Sequence, residues 1–293
     1  MTRLWLSRLI RLARFRLAAA LMGLMLVFVV APTAVIALSG NGDGSRTCSI
    51  RADDGSYQDR LSPSADHWFG TDAQGCDVFT HVVYGARPSL LIGVGGGLAL
   101  ALFGTVSGVL AATRGGWMDA LVRRAGDVTL GIPFVVGAIL LLAVLAGEQR
   151  SPVEIVFALS ILGWPGTARI ARNSSRSVLV QDYIEAARAA GASNGHIIRR
   201  HVLPNALPAV VAYTTLSAGA LIAAESTLTY LGIGLQVPSI SWGLMIEQGQ
   251  RSYGQAPYLI MFPALFLTAT VAAFVLLGDA LRDTLDAQVE VAS

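Results

Sequence analysis

Six apolar runs, each near the roughly 20 residues that a helix needs to cross a bilayer, constrain this chain more than any other feature. They are approximately Leu17–Leu38, Ser89–Ala112, Val128–Ala146, Val153–Ala168, Ala206–Thr229 and Tyr258–Leu277. Lipid cannot satisfy backbone N–H and C=O groups, so runs of this length predict helices. Only 14% of residues are charged, against about 25% in a soluble domain. The expected fold is therefore an all-α integral membrane protein with six transmembrane helices.

Orientation follows from the arginines. With the N-terminus inside, fifteen of the 21 basic residues fall in cytoplasmic segments, among them Arg114, Arg123, Arg124, Arg169, Arg172, Arg199 and Arg200. Six fall outside, and this bias predicts cytoplasmic N- and C-termini. Residues 1–16, with Arg3, Arg8, Arg11, Arg14 and Arg16, read as a basic amphipathic helix on the cytoplasmic surface. Residues 17–38 exceed the apolar core of a signal peptide, the alternative, and read as a first transmembrane helix. Residues 39–87 form a polar extracytoplasmic loop, and residues 88–293 a five-helix core interrupted by a polar cytoplasmic loop at 169–205.

Every basic residue is Arg. A chain without Lys has no Walker A loop and no Lys-based covalent chemistry. His67, His81, His196 and His201 are dispersed and predict no metal cluster, and no Ser-nucleophile elbow or zinc-protease helix is present. No catalytic residue, cofactor site or metal site is expected in this chain, and no nucleic-acid partner. Glu225 and Asp279 are the main carboxylates within the apolar spans, where an ionisable group marks function by default. Both lie toward span ends, which favours interfacial or packing roles. The small-residue run GVGGGLALALFGTVSGVLAA predicts close helix packing.

Both cysteines, Cys48 and Cys76, lie in the outer loop. That placement points to a disulfide, with two unpaired small residues as the alternative.

The most polar and most Arg-rich run between spans is RIARNSSRSVLVQDYIEAARAAGASNGHIIRRHVLPNALP, from Arg169 to Pro208. Asp182 is the expected N-cap, closed by Glu185 in a capping box. A helix from Tyr183 to Ala190 follows, with Gly191 as its C-terminal turn. A second helix starts at Ser193 or Asn194 and is expected to end before Pro204. This is a helical knob that cannot itself span a membrane.

Glu185-Ala186-Ala187, Gly191 and Leu203-Pro204 resemble the EAA loop of ATP-binding-cassette (ABC) importer permeases. Further blocks are similar to the oligopeptide/dipeptide branch, C-type subunit: HWFGTDAQGCDV at 67–78, YGARPSL at 84–90, RHVLPN at 200–205, and ESTLTYLGIG at 225–234 with Pro238 and SWG at 241–243. The resemblance implies a type I ABC importer permease fold and a multi-pass place in the bacterial inner (plasma) membrane. It also implies a role in peptide import. The implied partners are a B-type permease, one or two cytoplasmic ATPases holding ATP and Mg, an extracytoplasmic substrate-binding protein and the peptide itself. Asp182, Tyr183, Glu185, Ala186, Ala187, Gly191, Leu203 and Pro204 would couple to the ATPase.

Departures from the pattern are local. Cys76 stands where the family has Arg, which supplies the partner that Cys48 would need. GDALRDTLDAQ at 278–288 lacks the Pro and Arg of the family's C-terminal motif. Nickel or another small solute remains an alternative cargo within the superfamily. A secondary transporter or channel is less favoured, because no mid-membrane ion-coupling constellation is present.

Overall fold

The computed structural model describes residues 13–40, 48, 50–51, 57–145 and 150–292. The basic N-terminal segment lies largely outside the described residues. Eleven α-helices and one π-helical turn carry the chain, with two isolated antiparallel bridges and no strand among the described residues.

The first apolar run is kinked rather than straight. Helix α1 (Ala13–Val30) meets α2 (Pro32–Ser39) at Pro32. The bonds from Ala31 N–H to Val27 C=O (3.0 Å) and from Val35 N–H to Ala31 C=O (3.1 Å) continue through the break. Proline bends a helix by removing one donor and crowding the preceding turn.

Helix α3 (Val78–Arg114) is the long axis of the molecule and outruns the expected Ser89–Ala112 at its start. Asp77 caps it by accepting the Thr80 N–H at 2.7 Å. At 37 residues it is about 55 Å long, well beyond the ~30 Å hydrocarbon core. Gly115 and Gly116, at φ +62° and +51°, turn the chain into α4.

The expected span Val128–Ala146 is not one helix. Helix α4 (Gly116–Leu130) and α5 (Phe134–Leu145) meet at 94° around Gly131–Pro133. The apolar periodicity crosses this point, but Pro133 cannot continue a helix from α4. Only α5 carries the uniformly apolar sequence. Counted as one broken span, the pair brings the membrane-length helices to six.

Helix α6 (Pro152–Leu179) opens with a capping box between Ser151 and Glu154. Next come α7 (Asp182–Ala189), α8 (Asn194–Ile197), a π-turn (Ile198–Val202) and α9 (Leu203–Tyr230). The helical path therefore does not end before Pro204, contrary to expectation. Pro204 sits in the first turn of α9, where a missing N–H costs nothing, and the π-turn passes the helix through. Helix α10 (Trp242–Gln250) and α11 (Tyr258–Ala292) complete the fold.

Two glycine pairs explain the packing. Gly93 and Gly97 face Ala218 and Ile222 of α9, while Gly104 and Gly108 face Thr167, Ala168 and Ala171 of α6. A Cβ at Gly108 would lie 2.8 Å from both the Ala171 Cβ and the Arg172 N, with the Ala168 carbonyl closer still. Small residues four apart let helix backbones approach where lipid gives no hydrophobic drive. Outward faces stay apolar, as at Leu98, Leu102, Phe103 and Val144, which suits helices bathed in lipid.

We expect Gly108→Leu to cost about 1–3 kcal/mol by overpacking, or more because backbone is struck. Gly23→Ala, at a site with open space around it, should be near neutral. Thermal unfolding of both variants in detergent measures the contrast.

Candidate functional site

The knob, α7 to the π-turn, sits on the far ends of α3 and α6. Ile184, Ile197 and Val202 are buried with Val109 of α3 and Val178 of α6, and Leu203 packs against them. The opposite face, with Asp182, Tyr183, Glu185 and Ala186, is open. One side of α7 is thus bonded to the bundle by apolar burial, and the other is free to meet a partner.

Local sequence dictates the turn. Gly191 adopts φ +86°; the Ala192 N–H reaches the Ala187 C=O at 3.0 Å, and the Gly191 N–H reaches the Arg188 C=O at 2.9 Å. This is a Schellman end, which needs a left-handed residue that Gly supplies without strain. Ser193 then caps α8, accepting the His196 N–H at 3.3 Å. Only Gly191 and Ala192 separate the C-cap Ala190 from the N-cap Ser193.

The expected capping box does not form. Gln181 is the N-cap, its amide donating to the Ser177 C=O at 3.2 Å, and Asp182 is the first helical residue. Asp182 and Glu185 lie instead in the first turn, where negative charge complements the helix dipole. Tyr183 and His201 face each other with ring centroids 5.7 Å apart. Pro204 is exposed at the start of α9.

Behind the knob is a charge node that sequence reading missed. Asp119 of α4, only 5% exposed, accepts two bonds from Arg172 of α6, through Nε and, at 2.8 Å, through Nη2. Arg176 reaches the same carboxylate at 3.2 Å and Arg123 at 3.4 Å. The bidentate Arg geometry is the strongest available to a carboxylate. Its signal in the sequence is Asp119 four residues before Arg123, opposite the pair Arg172 and Arg176 spaced i, i+4 on α6.

At the other end of α3 the loop of residues 57–77 is sewn onto the bundle. The Tyr258 hydroxyl donates to the carbonyls of Leu61 (2.8 Å) and Thr71 (3.1 Å). Phe69 stacks on Phe262 of α11, centroids 3.9 Å apart. Cys48 and Cys76 are disulfide-bonded, with Cα atoms 4.5 Å apart. A cavity of about 570 Å³ opens between this loop, the segment 232–237 and α10, lined by Asp72, His81, Thr229, Leu235, Glu247 and Arg251 among others. Burial holds the Asp72 carboxyl above the usual carboxylate range, against the pull of the Cys76 and Gln74 N–H groups and of nearby His81.

Of the two carboxylates noted in the spans, Glu225 is fully buried, and Asp279 is half-buried on α11. Glu225 is held by hydroxyls from Thr229 (2.8 Å), Ser226 (3.3 Å) and Ser241 (3.4 Å).

Residues 104–291 match the family described as "Binding-protein-dependent transport system inner membrane component". The chain belongs to that family. Among similar members, the dipeptide transport system permease protein of Bacillus subtilis is 41% identical over 230 residues, covering 78% of this chain and 71% of the relative. The oligopeptide transport system permease protein of the same organism is 34% identical over 284 residues, covering 97% and 89%. The glutathione transport system permease protein of Escherichia coli O157:H7 is 38% identical over 228 residues, covering 78% and 74%. Solved structures share the fold. The MetNI methionine ABC transporter in an inward-facing conformation aligns with TM-score 0.55 at 22% identity, over 70% of this chain and 97% of that one. A second solved structure, an amino acid ABC transporter with histidines, aligns with TM-score 0.53 at 15% identity, over 69% and 92%. This binding-protein-dependent transport component is thus a membrane-embedded permease with an ABC importer permease fold.

Two variants test the site. Asp119→Ala leaves the largely buried Arg172 without its carboxylate and should cost about 1–3 kcal/mol, whereas exposed Arg124→Ala should stay within about 0.5 kcal/mol; unfolding midpoints in detergent compare them. The disulfide closes a loop of 28 residues, so Cys48→Ser should cost the local fold about 3–4 kcal/mol by the chain-entropy relation. Non-reduced peptide mapping should recover the Cys48–Cys76 pair, and alkylatable thiols at both positions would overturn it.

Proposed function

We propose that this chain is one permease half of an ATP-driven peptide importer, paired with a homologous B-type permease. One or two ATPases, holding ATP and Mg, would bind the knob at the cytoplasmic face, and a substrate-binding protein would deliver peptide at the loop end. The observation that carries the reading is the two-faced α7. Its buried side joins α3 and α6, and its other side is exposed at Asp182, Tyr183, Glu185 and Ala186. The relatives' peptide and glutathione permease roles support peptide as the cargo.

The mechanism follows from rigidity. ATP-driven closure of the ATPase pair would displace α7. The Schellman turn at Gly191 and the Ser193 cap would pass that displacement to the π-turn and α9. Val109 and Val178 would pass it to α3 and α6, and the close glycine contacts would move those helices as a unit. The two bundles would then rock to open the path to each side in turn. Glu185 would serve the helix end and the docking face rather than chemistry.

A mild-detergent pull-down of the tagged chain should recover a second permease and one or two ATPases. Gly191→Val should insert normally, lose that recovery and abolish peptide uptake, because a β-branched residue is strained at positive φ. A chain that purifies alone, or a variant with normal uptake, would refute the coupling role.

A further inference from the structure

Among the described residues Glu225 is the carboxylate most fully sealed from solvent, and its hydrogen-bond partners are hydroxyls. Among the described residues no cation pairs with it. A buried carboxylate normally has a guanidinium or a metal; here three donors converge from two different stretches of chain. Ser226 and Thr229 belong to α9 itself, but Ser241 comes from the far side of the segment 231–241.

That segment folds back over the end of α9 and is tied down at several points. Gly232, at φ +75°, reverses the chain, and the Ile233 and Gly234 N–H groups both reach the Leu228 C=O at 2.9 Å. The Thr229 hydroxyl donates to Glu225 and in turn accepts the Leu235 N–H at 3.0 Å. Gly234 lies so close to Thr229 that a Cβ would fall 2.6 Å from its Cα. At the other end Ser241 donates to Glu225 and accepts the Leu244 N–H at 3.2 Å, capping α10. The next residue, Trp242, is fully buried and donates its indole N–H to the Val82 C=O of α3 at 2.9 Å. One carboxylate therefore governs both ends of the segment: through Thr229 to Leu235, and through Ser241 to α10.

The segment is also a wall of the 570 Å³ cavity, since Leu235, Gln236 and Val237 line it alongside Thr229 and α10. We propose that Glu225 is a positioning residue that latches the 231–241 segment across the loop end of the bundle. Releasing the latch lets the cavity wall swing away from α9. The latch goes beyond the peptide-import reading and does not depend on it, because it concerns how the segment is held, whatever cargo passes.

Accessibility of Leu235, which is 1% exposed, reports the latch directly. Leu235→Cys is introduced into the full chain in its native membrane, where both natural cysteines are disulfide-bonded. An impermeant maleimide then measures its reaction rate. Glu225→Ala and Thr229→Val should each raise that rate about tenfold, the ratio expected from losing one buried hydrogen bond. Glu225→Gln should leave it near the parent value, because the amide oxygen still accepts from Thr229 and Ser241. Ile36→Cys, buried on α2 in a separate apolar cluster, serves as the control and should stay unreactive in every background. An unchanged rate in Glu225→Ala overturns the proposal. So does a parallel rise at Ile36→Cys, which would mean general loosening, or a Glu225→Gln variant as reactive as Glu225→Ala. Labelling needs neither ATP nor peptide, so its failure is separate from any failure of uptake.

Discussion

Close backbone approach between α3 and its two neighbours is the constraint on which the rest of the molecule depends. Water drives apolar helices together, but lipid does not, so membrane helices are held by van der Waals contact and by what their small residues allow. Helix α3 commits Gly93 and Gly97 to α9, and Gly104 and Gly108 to α6. It thereby fixes the relative position of the three helices that connect the outer loop to the knob. A side chain at Gly104 or Gly108 would push α3 and α6 apart, because the atoms struck first are a Cβ or backbone and cannot turn aside.

The two ends of this keel handle charge differently, and each way suits its place. At the knob end Asp119 gathers Arg123, Arg172 and Arg176 at an edge where Arg123 and Arg176 keep access to water. A node of this kind is stiff and specific, joining the α4 elbow to α6. At the loop end Glu225 meets hydroxyls only. Hydroxyl bonds are individually weaker than a guanidinium pair and exchange more readily, which fits an element that holds a movable wall rather than a permanent joint.

Much of this is legible in the chain. The Arg asymmetry and six apolar runs carry the span count, and the Ala-Gly-Ala-Ser sequence at 190–193 spells out a helix end followed by a new cap. What escapes is set by tertiary context. The α4–α5 break is hidden because apolar character runs through Pro133 even though the backbone cannot. Pro204 looks like a stop, yet a π-turn supplies the extra residue that lets the helix pass. Residue preference favours Asp182 as cap, while the backbone places Gln181 there. The Asp119 node reaches Arg172 and Arg176, 53 and 57 residues on, and the hydroxyl ring about Glu225 closes only when Ser241 folds back beside Ser226 and Thr229.

The elbow at Gly131–Pro133 has a consequence for how the chain can live in a membrane. Its helices meet at 94°, so the last carbonyls of α4 and the first N–H groups of α5 have no helical partner, apart from bonds such as Gly131 N–H to Asp127 C=O and Gly137 N–H to Pro133 C=O. Hydrocarbon offers such groups nothing, and each one left bare in lipid costs several kcal/mol, on the order of a lost buried hydrogen bond. Around them Val128, Leu130 and Ile132 are turned outward. The bend is therefore tolerable only where water or another protein surface reaches it. A copy with that elbow sunk in bare hydrocarbon would carry an open seam, so how deep the elbow can sit is set by where water or protein reaches the backbone.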